Sequence, residues 1–164
     1  MKRQLMLAAL FAAAVGVAPV QAEVTGVTGA AADALFHSKD PKLERNKQAA
    51  YHIQKDLLES NQWGQADKWL TKKYLQHNPN ASDGLDGVIY FFTKVMKREP
   101  TPVAEHIKTQ IVTVSAEGDY VTIVRPYVAK DPKDPSKTYT TTWFDTWRFV
   151  DGKADEHWDS ALKN

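Results

Sequence analysis

The chain of 164 residues has no cysteine. That excludes disulfides, thiolate metal sites and a cysteine nucleophile. It also lacks a charge of one sign: 21 basic against 20 acidic residues leave a formal +1. Phosphate backbones are bound by clustered positive charge, so this balance argues against a nucleic-acid partner. No glycine-rich phosphate loop is present, and no G-x-S-x-G nucleophile turn. The five histidines (His37, His52, His77, His106 and His157) show neither H-x-H nor H-E-x-x-H spacing, so a sequence-local metal site is unsupported. Asp83 and Asp86 resemble neither a calcium loop nor a paired catalytic motif. What is present is 43% hydrophobic and 10% aromatic residues, including five tryptophans. That is enough apolar material for a core and rules out a charged disordered chain.

The N-terminus reads as an address. Lys2 and Arg3 precede an apolar run from Leu5 to Val15, and Val20-Gln21-Ala22 places small residues at the −3 and −1 positions of a cleavage site. This is the tripartite pattern of a secretory signal peptide over residues 1–22. The run is too short for a membrane anchor, which takes about 20 residues. The expected product is an exported chain, periplasmic or secreted, beginning at Glu23 and without a stable membrane anchor. Losing Lys2 and Arg3 turns the formal charge to −1.

Residues 23–41 show little periodicity and read as a flexible leader, with one domain over 42–164. Helix formers dominate Leu43 to Glu59, with Ala50, Ile53 and Leu57 at helical spacing. A short second helix is expected around Ala66, Trp69 and Leu70, running out near Tyr74. Turn residues fill 77–84. Leu85, Val88, Ile89, Phe92, Val95 and Met96 then form an amphipathic stripe that closes before Pro100. Beyond Pro102 the period falls to 2. Strands are expected from Ile107 to Thr113, Tyr120 to Val128, Thr138 to Val150 and Lys153 to Ser160, with Pro126 implying an edge or bulge. Turns fall at Glu117-Gly118-Asp119 and Asp151-Gly152. Helices followed by hairpin-linked strands predict an α+β fold, three helices packed on one face of an antiparallel sheet.

Alternation puts Trp143, Asp145, Trp147 and Phe149 on one face of the third strand and Phe144, Thr146, Arg148 and Val150 on the other. If the aromatic face is concave, Asp145 is desolvated and its pKa should rise toward the range useful to a general acid or base. The bland alternative is a structural charge pair. His157 and Asp159 share one face of the last strand, where a histidine beside a carboxylate could shuttle protons or sit as a satisfied edge histidine. His77 opens the loop after Tyr74, with a pocket role or a local one shaping the turn with Asn78 and Pro79.

Two stretches carry a resemblance. One is Tyr74-Leu75-Gln76-His77-Asn78-Pro79 followed by Asp83-Gly84 and a helix with Phe91-Phe92. The other is Phe144-Asp145-Thr146-Trp147-Arg148-Phe149 running through Asp151-Gly152-Lys153 into Glu156-His157-Trp158-Asp159. Together they resemble the SnoaL-like proteins of the nuclear transport factor 2-like superfamily, over residues 46–164. The resemblance implies a cone-shaped α+β barrel: three helices set into a curved, mostly antiparallel sheet, with a pocket inside and often a homodimer through the sheet. It implies acid/base chemistry without metal or organic cofactor, an aldol closure in the polyketide cyclases, with Asp145 as general base and His77 and His157 beside it. It sets Tyr74, His77 and His157 near the pocket mouth or wall, and Phe92, Trp143, Trp147 and Asp159 join Tyr74 as the residues expected around a small-molecule ligand or substrate. The export signal departs from the cytoplasmic cyclases, and Ala154 stands where a larger aliphatic residue is usual. Three functions follow as expectations: a cofactor-independent enzyme on a small carbonyl compound, a non-catalytic binder of an apolar ligand, and an interaction module using the sheet.

Overall fold

The fold begins with a buried aromatic where the sequence promised a leader. The computed structural model describes residues 23–163, so the expected signal peptide at 1–22 lies outside the described residues. Gly29–Asp33 form a short helix, α1, continued by a 3-10 turn over Ala34–Phe36. Ala32 and Phe36 are fully buried in the core. Burying a phenylalanine contributes about 1.5–3 kcal/mol, enough to hold this segment down. Val27 and Ile111 exchange two backbone hydrogen bonds of 2.9 Å, and the Gly29 amide donates to the Ile107 carbonyl at 2.8 Å. From residue 27 to Phe36, then, the stretch read as a leader is packed structure.

The second helix, α2 (Pro41–His52), starts where its chemistry dictates. The Asp40 carboxylate accepts from the amides of Lys42 and Leu43 at 2.9 Å, and Pro41 occupies the first turn. It runs on as a wider turn over Ile53–Glu59, burying Ile53 and Leu57. A 3-10 segment over Trp63–Lys68 follows. The expected second helix ends there: Leu70–Gln76 is a strand, β1. Helix-forming lysines and leucine mask it in sequence. Its partner is the last strand, which it joins in parallel, with Leu70 opposite Ala154 and Gln76 opposite His157. The third helix, α3 (Leu85–Tyr90), continues as a wide turn over Phe91–Val95, close to the expected span.

The remaining strands are β2 (Thr113–Glu117), β3 (Tyr120–Lys130), β4 (Thr138–Val150) and β5 (Lys153–Asp159). The strand expected from Ile107 begins only at Thr113, because the backbone of Ile107 and Ile111 is spent on residues 27–29. The five-stranded sheet has the order β1-β5-β4-β3-β2, antiparallel except for β1 with β5, and it curves around the helices. Asp151 and Gly152, at φ 50° and 78°, turn β4 into β5, as the Asp-Gly pair requires. Pro126 lies on β3 beyond the last residue paired with β2, so its missing N–H faces an open edge. The core joins Phe36, Leu57, Leu70, Val88 and Ile111 to Val121, Ile123, Trp147 and Phe149 on the inner face. Phe144 and Val150 are exposed on the other face, so the strand alternation was read correctly.

Candidate functional site

Between the inner face of the sheet and the helices lies an open cavity of about 1220 Å³. Its helical wall includes Leu58, Trp63, Val88 and Phe92, with Trp63 and Phe92 stacked at 3.9 Å. Its sheet wall includes Tyr74, Arg125, Trp143, Asp145, Trp147, His157 and Asp159. Asp145 is 4% exposed. Three donors converge on it: Trp143 Nε1 at 3.1 Å and His157 Nε2 at 3.3 Å on Oδ1, and Arg125 Nε at 3.2 Å on Oδ2. Burial pushes the Asp145 carboxyl up, but the hydrogen bond and charge of His157, the Arg125 guanidinium and the Trp143 N–H together outweigh it. The group is held below the ordinary aspartate value, the reverse of the rise expected from desolvation alone.

The hydrogen bonds fix where a proton must sit. Gln76 Oε1 accepts from the Asn78 amide at 3.0 Å, which orients the Gln76 side chain as an acceptor. His157 Nδ1 lies 2.8 Å from that same oxygen and therefore donates to it. A neutral imidazole protonated at Nδ1 would aim a lone pair from Nε2 at a carboxylate oxygen. The 3.3 Å contact is therefore a hydrogen bond when Nε2 or the carboxyl also carries a proton. Beside the pair, Trp147 Nε1 donates to the Tyr74 hydroxyl at 3.2 Å. Burial pushes the Tyr74 phenol far up, so it stays neutral and keeps its proton. That proton has no acceptor among the described residues.

No protein-family model matches the sequence, and no curated protein does. Solved structures do match. A candidate polyketide cyclase from Acidithiobacillus ferrooxidans is 17% identical, with a TM-score of 0.52 over 75% of this chain and 89% of its own. A candidate SnoaL-like polyketide cyclase from Jannaschia sp. CCS1 is 15% identical, with a TM-score of 0.50 over 76% and 91%. A nuclear transport factor 2-like protein of unknown function from Burkholderia pseudomallei is 15% identical, with a TM-score of 0.50 over 72% and 91%. The chain has the nuclear transport factor 2-like fold. At these identities the likeness carries the fold and leaves the chemistry to the site.

Within this fold, seven of the eight expected site residues share the cavity: Tyr74, Phe92, Trp143, Asp145, Trp147, His157 and Asp159. His77 does not join them. Its Nε2 lies 2.9 Å from Glu156 Oε1 and its ring stacks on Trp158 at 5.0 Å. Glu156 and Trp158 pair with Arg148 and Thr146, on the face of the sheet turned away from the cavity. Gln76 and His77 are neighbours in sequence, and a single step along an extended chain is the difference between inside and outside. Asp159 is engaged in shaping the loop, accepting from Asn78 Nδ2 at 2.7 Å and the Ala161 amide at 2.9 Å. Ligand atoms of Asp145, His157 and Asp159 lie within 4.8 Å of one another and could in principle converge on a metal ion, but Arg125 already neutralises Asp145 there. The sequence pattern singled out neither Arg125 nor Gln76, and gave Asn78 the local loop-shaping role that its bonds to Gln76 and Asp159 fit. Arg125 carried a signal: it is the one charged residue between Tyr120 and Val128, in phase with the inward Val121 and Ile123.

Proposed function

We propose that this chain is an exported small-molecule pocket protein whose Asp145–His157 pair moves protons on a carbonyl compound. The observation that carries the reading is a buried carboxylate 3.3 Å from a buried histidine nitrogen, on the wall of a cavity large enough for a ligand of tens of heavy atoms. In the proposed reaction Asp145 removes a proton from carbon next to the ligand carbonyl. The enolate oxygen takes a hydrogen bond from the neutral Tyr74 hydroxyl. The proton taken by Asp145 then passes through His157 to carbon or oxygen, giving isomerisation, or the enolate carbon attacks a second carbonyl and the alkoxide so formed takes that proton, completing an aldol closure and freeing Asp145. The steps use side chains alone. The signal-like residues 1–22 support export, and the outer sheet face, with Phe144 exposed, supports a homodimer.

One observation favours a second reading, a non-catalytic binder of an apolar ligand. Three donors hold the Asp145 carboxylate below its ordinary pKa, which weakens it as a base. Deuterium incorporation separates the two. Small ketones and aldehydes are incubated with the protein in heavy water and followed by NMR. Enzyme behaviour is enolisable carbon exchanging in the wild type and at least 100-fold more slowly in Asp145→Asn, the loss that removing a general base brings. Ligand affinity retained in both proteins, with no exchange above buffer, makes the chain a binder.

A further inference from the structure

The charged groups lining the cavity are not alike in their commitments. On the acidic side, Glu59 accepts from the amides of Lys108 and Thr109 at 3.0 Å and from Gln54 at 3.1 Å. Asp145 and Asp159 are each met by two or three donors. Every carboxylate on the wall is therefore occupied. On the basic side, the terminal nitrogens of Arg98, Lys108, Arg125 and Lys130 make no hydrogen bond or ion pair among the described residues, apart from Arg125 Nε. A cavity whose anions are satisfied and whose cations are open attracts an anion.

Arg125 is the cation placed to receive one. It stands on the inner face, opposite Trp143 in the β3–β4 register. Its Nε is tied to Asp145 at 3.2 Å, and its guanidinium lies over the Trp143 ring at 5.4 Å. These contacts fix the plane of the guanidinium while leaving both terminal amino groups uncommitted. Its side chain is 26% exposed, partly desolvated yet reachable from the cavity. A planar fork held in this way matches a carboxylate, which accepts two parallel N–H bonds. Its contacts extend from the reacting group: Arg125 and His157 bind the two oxygens of the same Asp145 carboxylate.

We propose that Arg125 is the docking site for a carboxylate on the ligand, so that the pocket takes organic acids and sets their carbon skeleton against Asp145. The assignment rests on the pocket reading above and names its substrate class. The basic side chains of Arg98, Lys108 and Lys130 draw the acid in, and Arg125 seats it.

The test titrates benzoate, 3-phenylpropanoate and 4-phenylbutanoate, each against its methyl ester, into the full chain. The indole N–H signals of Trp143 and Trp147 and the Arg125 Nε–H signal report binding by NMR. At least one acid should bind wild type about tenfold or more tightly than its ester, a factor in keeping with one charge-assisted bidentate pair. That ratio should fall to about one in Arg125→Gln and to an intermediate value in Arg125→Lys, which keeps the charge and loses the fork. Ester binding retained in Arg125→Gln shows that the variant still has its cavity. Should that variant not fold, Arg125→Lys and Arg125→Gln/Asp145→Asn, which removes both charges together, give the same comparison. Acids and esters binding wild type equally would overturn the carboxylate assignment and leave the pocket reading standing. A tenfold ratio surviving in Arg125→Gln would overturn it as well. If no acid or ester moves the indole signals, the pocket reading falls together with the assignment.

Discussion

Replacing Asp145 by asparagine keeps the shape and removes the charge, and the consequence for stability follows from the three donors. Trp143 Nε1 and His157 Nε2 share Oδ1, while Arg125 Nε uses Oδ2. Asparagine offers one acceptor oxygen, so its amide group must face at least one N–H. Breaking a fully buried ion pair costs about 3–5 kcal/mol. The Arg125 side chain is 26% exposed and can turn to water, which lowers the figure to about 2–3 kcal/mol. For a domain of this size that is roughly 5–10 °C in Tm. The pH dependence carries the sharper information. In the folded state the Asp145 carboxyl lies below the 3.8 of the unfolded chain, so the unfolded state takes up its proton first on acidification. The stability contributed by the carboxylate is complete above 3.8 and is lost as pH falls through the folded value. Urea unfolding of both proteins should give a constant gap from pH 7 to pH 5 that narrows in stronger acid. A gap under about 0.5 kcal/mol at pH 7 would refute the charge cluster, being no more than an ordinary surface substitution shows. A gap that was largest in acid and shrank as pH rose past 3.8 would instead show that desolvation wins and the pKa is raised.

Tyr74→Phe strands the Trp147 indole N–H without an acceptor, and should cost about 1–3 kcal/mol in thermal unfolding. It should also slow deuterium exchange if the phenol steadies the enolate. An unchanged Tm would mean that the Trp147 bond contributes nothing. His77→Ala should leave ligand binding and proton exchange within about twofold of wild type, because its ion pair with Glu156 lies on the outer face of the sheet, away from the cavity. A large kinetic loss would place His77 in the chemistry after all. Phe144→Glu puts a charge on the outer sheet face. Sedimentation should show a dimer in the wild type and a monomer in the variant, with ligand affinity unchanged, whereas an indifferent variant would remove the sheet as an interface.

The alternation of β4 was legible because every second residue of Trp143 to Phe149 is aromatic or Asp145, and a period of 2 needs no knowledge of the partner strand. The same rule put His157 and Asp159 on one face together, and the structure makes that face the inner one. The strand β1 was not legible. Leu70 to Gln76 contains good helix formers, and what makes it a strand is β5, more than 80 residues further on. That error propagated to His77, whose side of the sheet depends on β1 being a strand at all. The direction of the Asp145 shift was misread for a related reason. Burial shows in the local pattern, while the opposing Arg125 lies 20 residues upstream and reaches Asp145 only through the β3–β4 register. The packing of residues 27–36 was hidden because short alanine- and glycine-rich segments carry little periodicity, although Phe36 before the Asp40-Pro41 cap was a usable sign.

The central claim is that the cavity holds a small molecule against Asp145 and His157. Native mass spectrometry on the chain purified from its own compartment, followed by identification of whatever unfolding releases, tests it directly. The account expects a bound mass of up to a few hundred daltons, an organic acid carrying a carbonyl group, which when returned to the protein shifts the indole signals of Trp143 and Trp147. The chain at its bare mass, with those signals unmoved by its own cell extract, would contradict it.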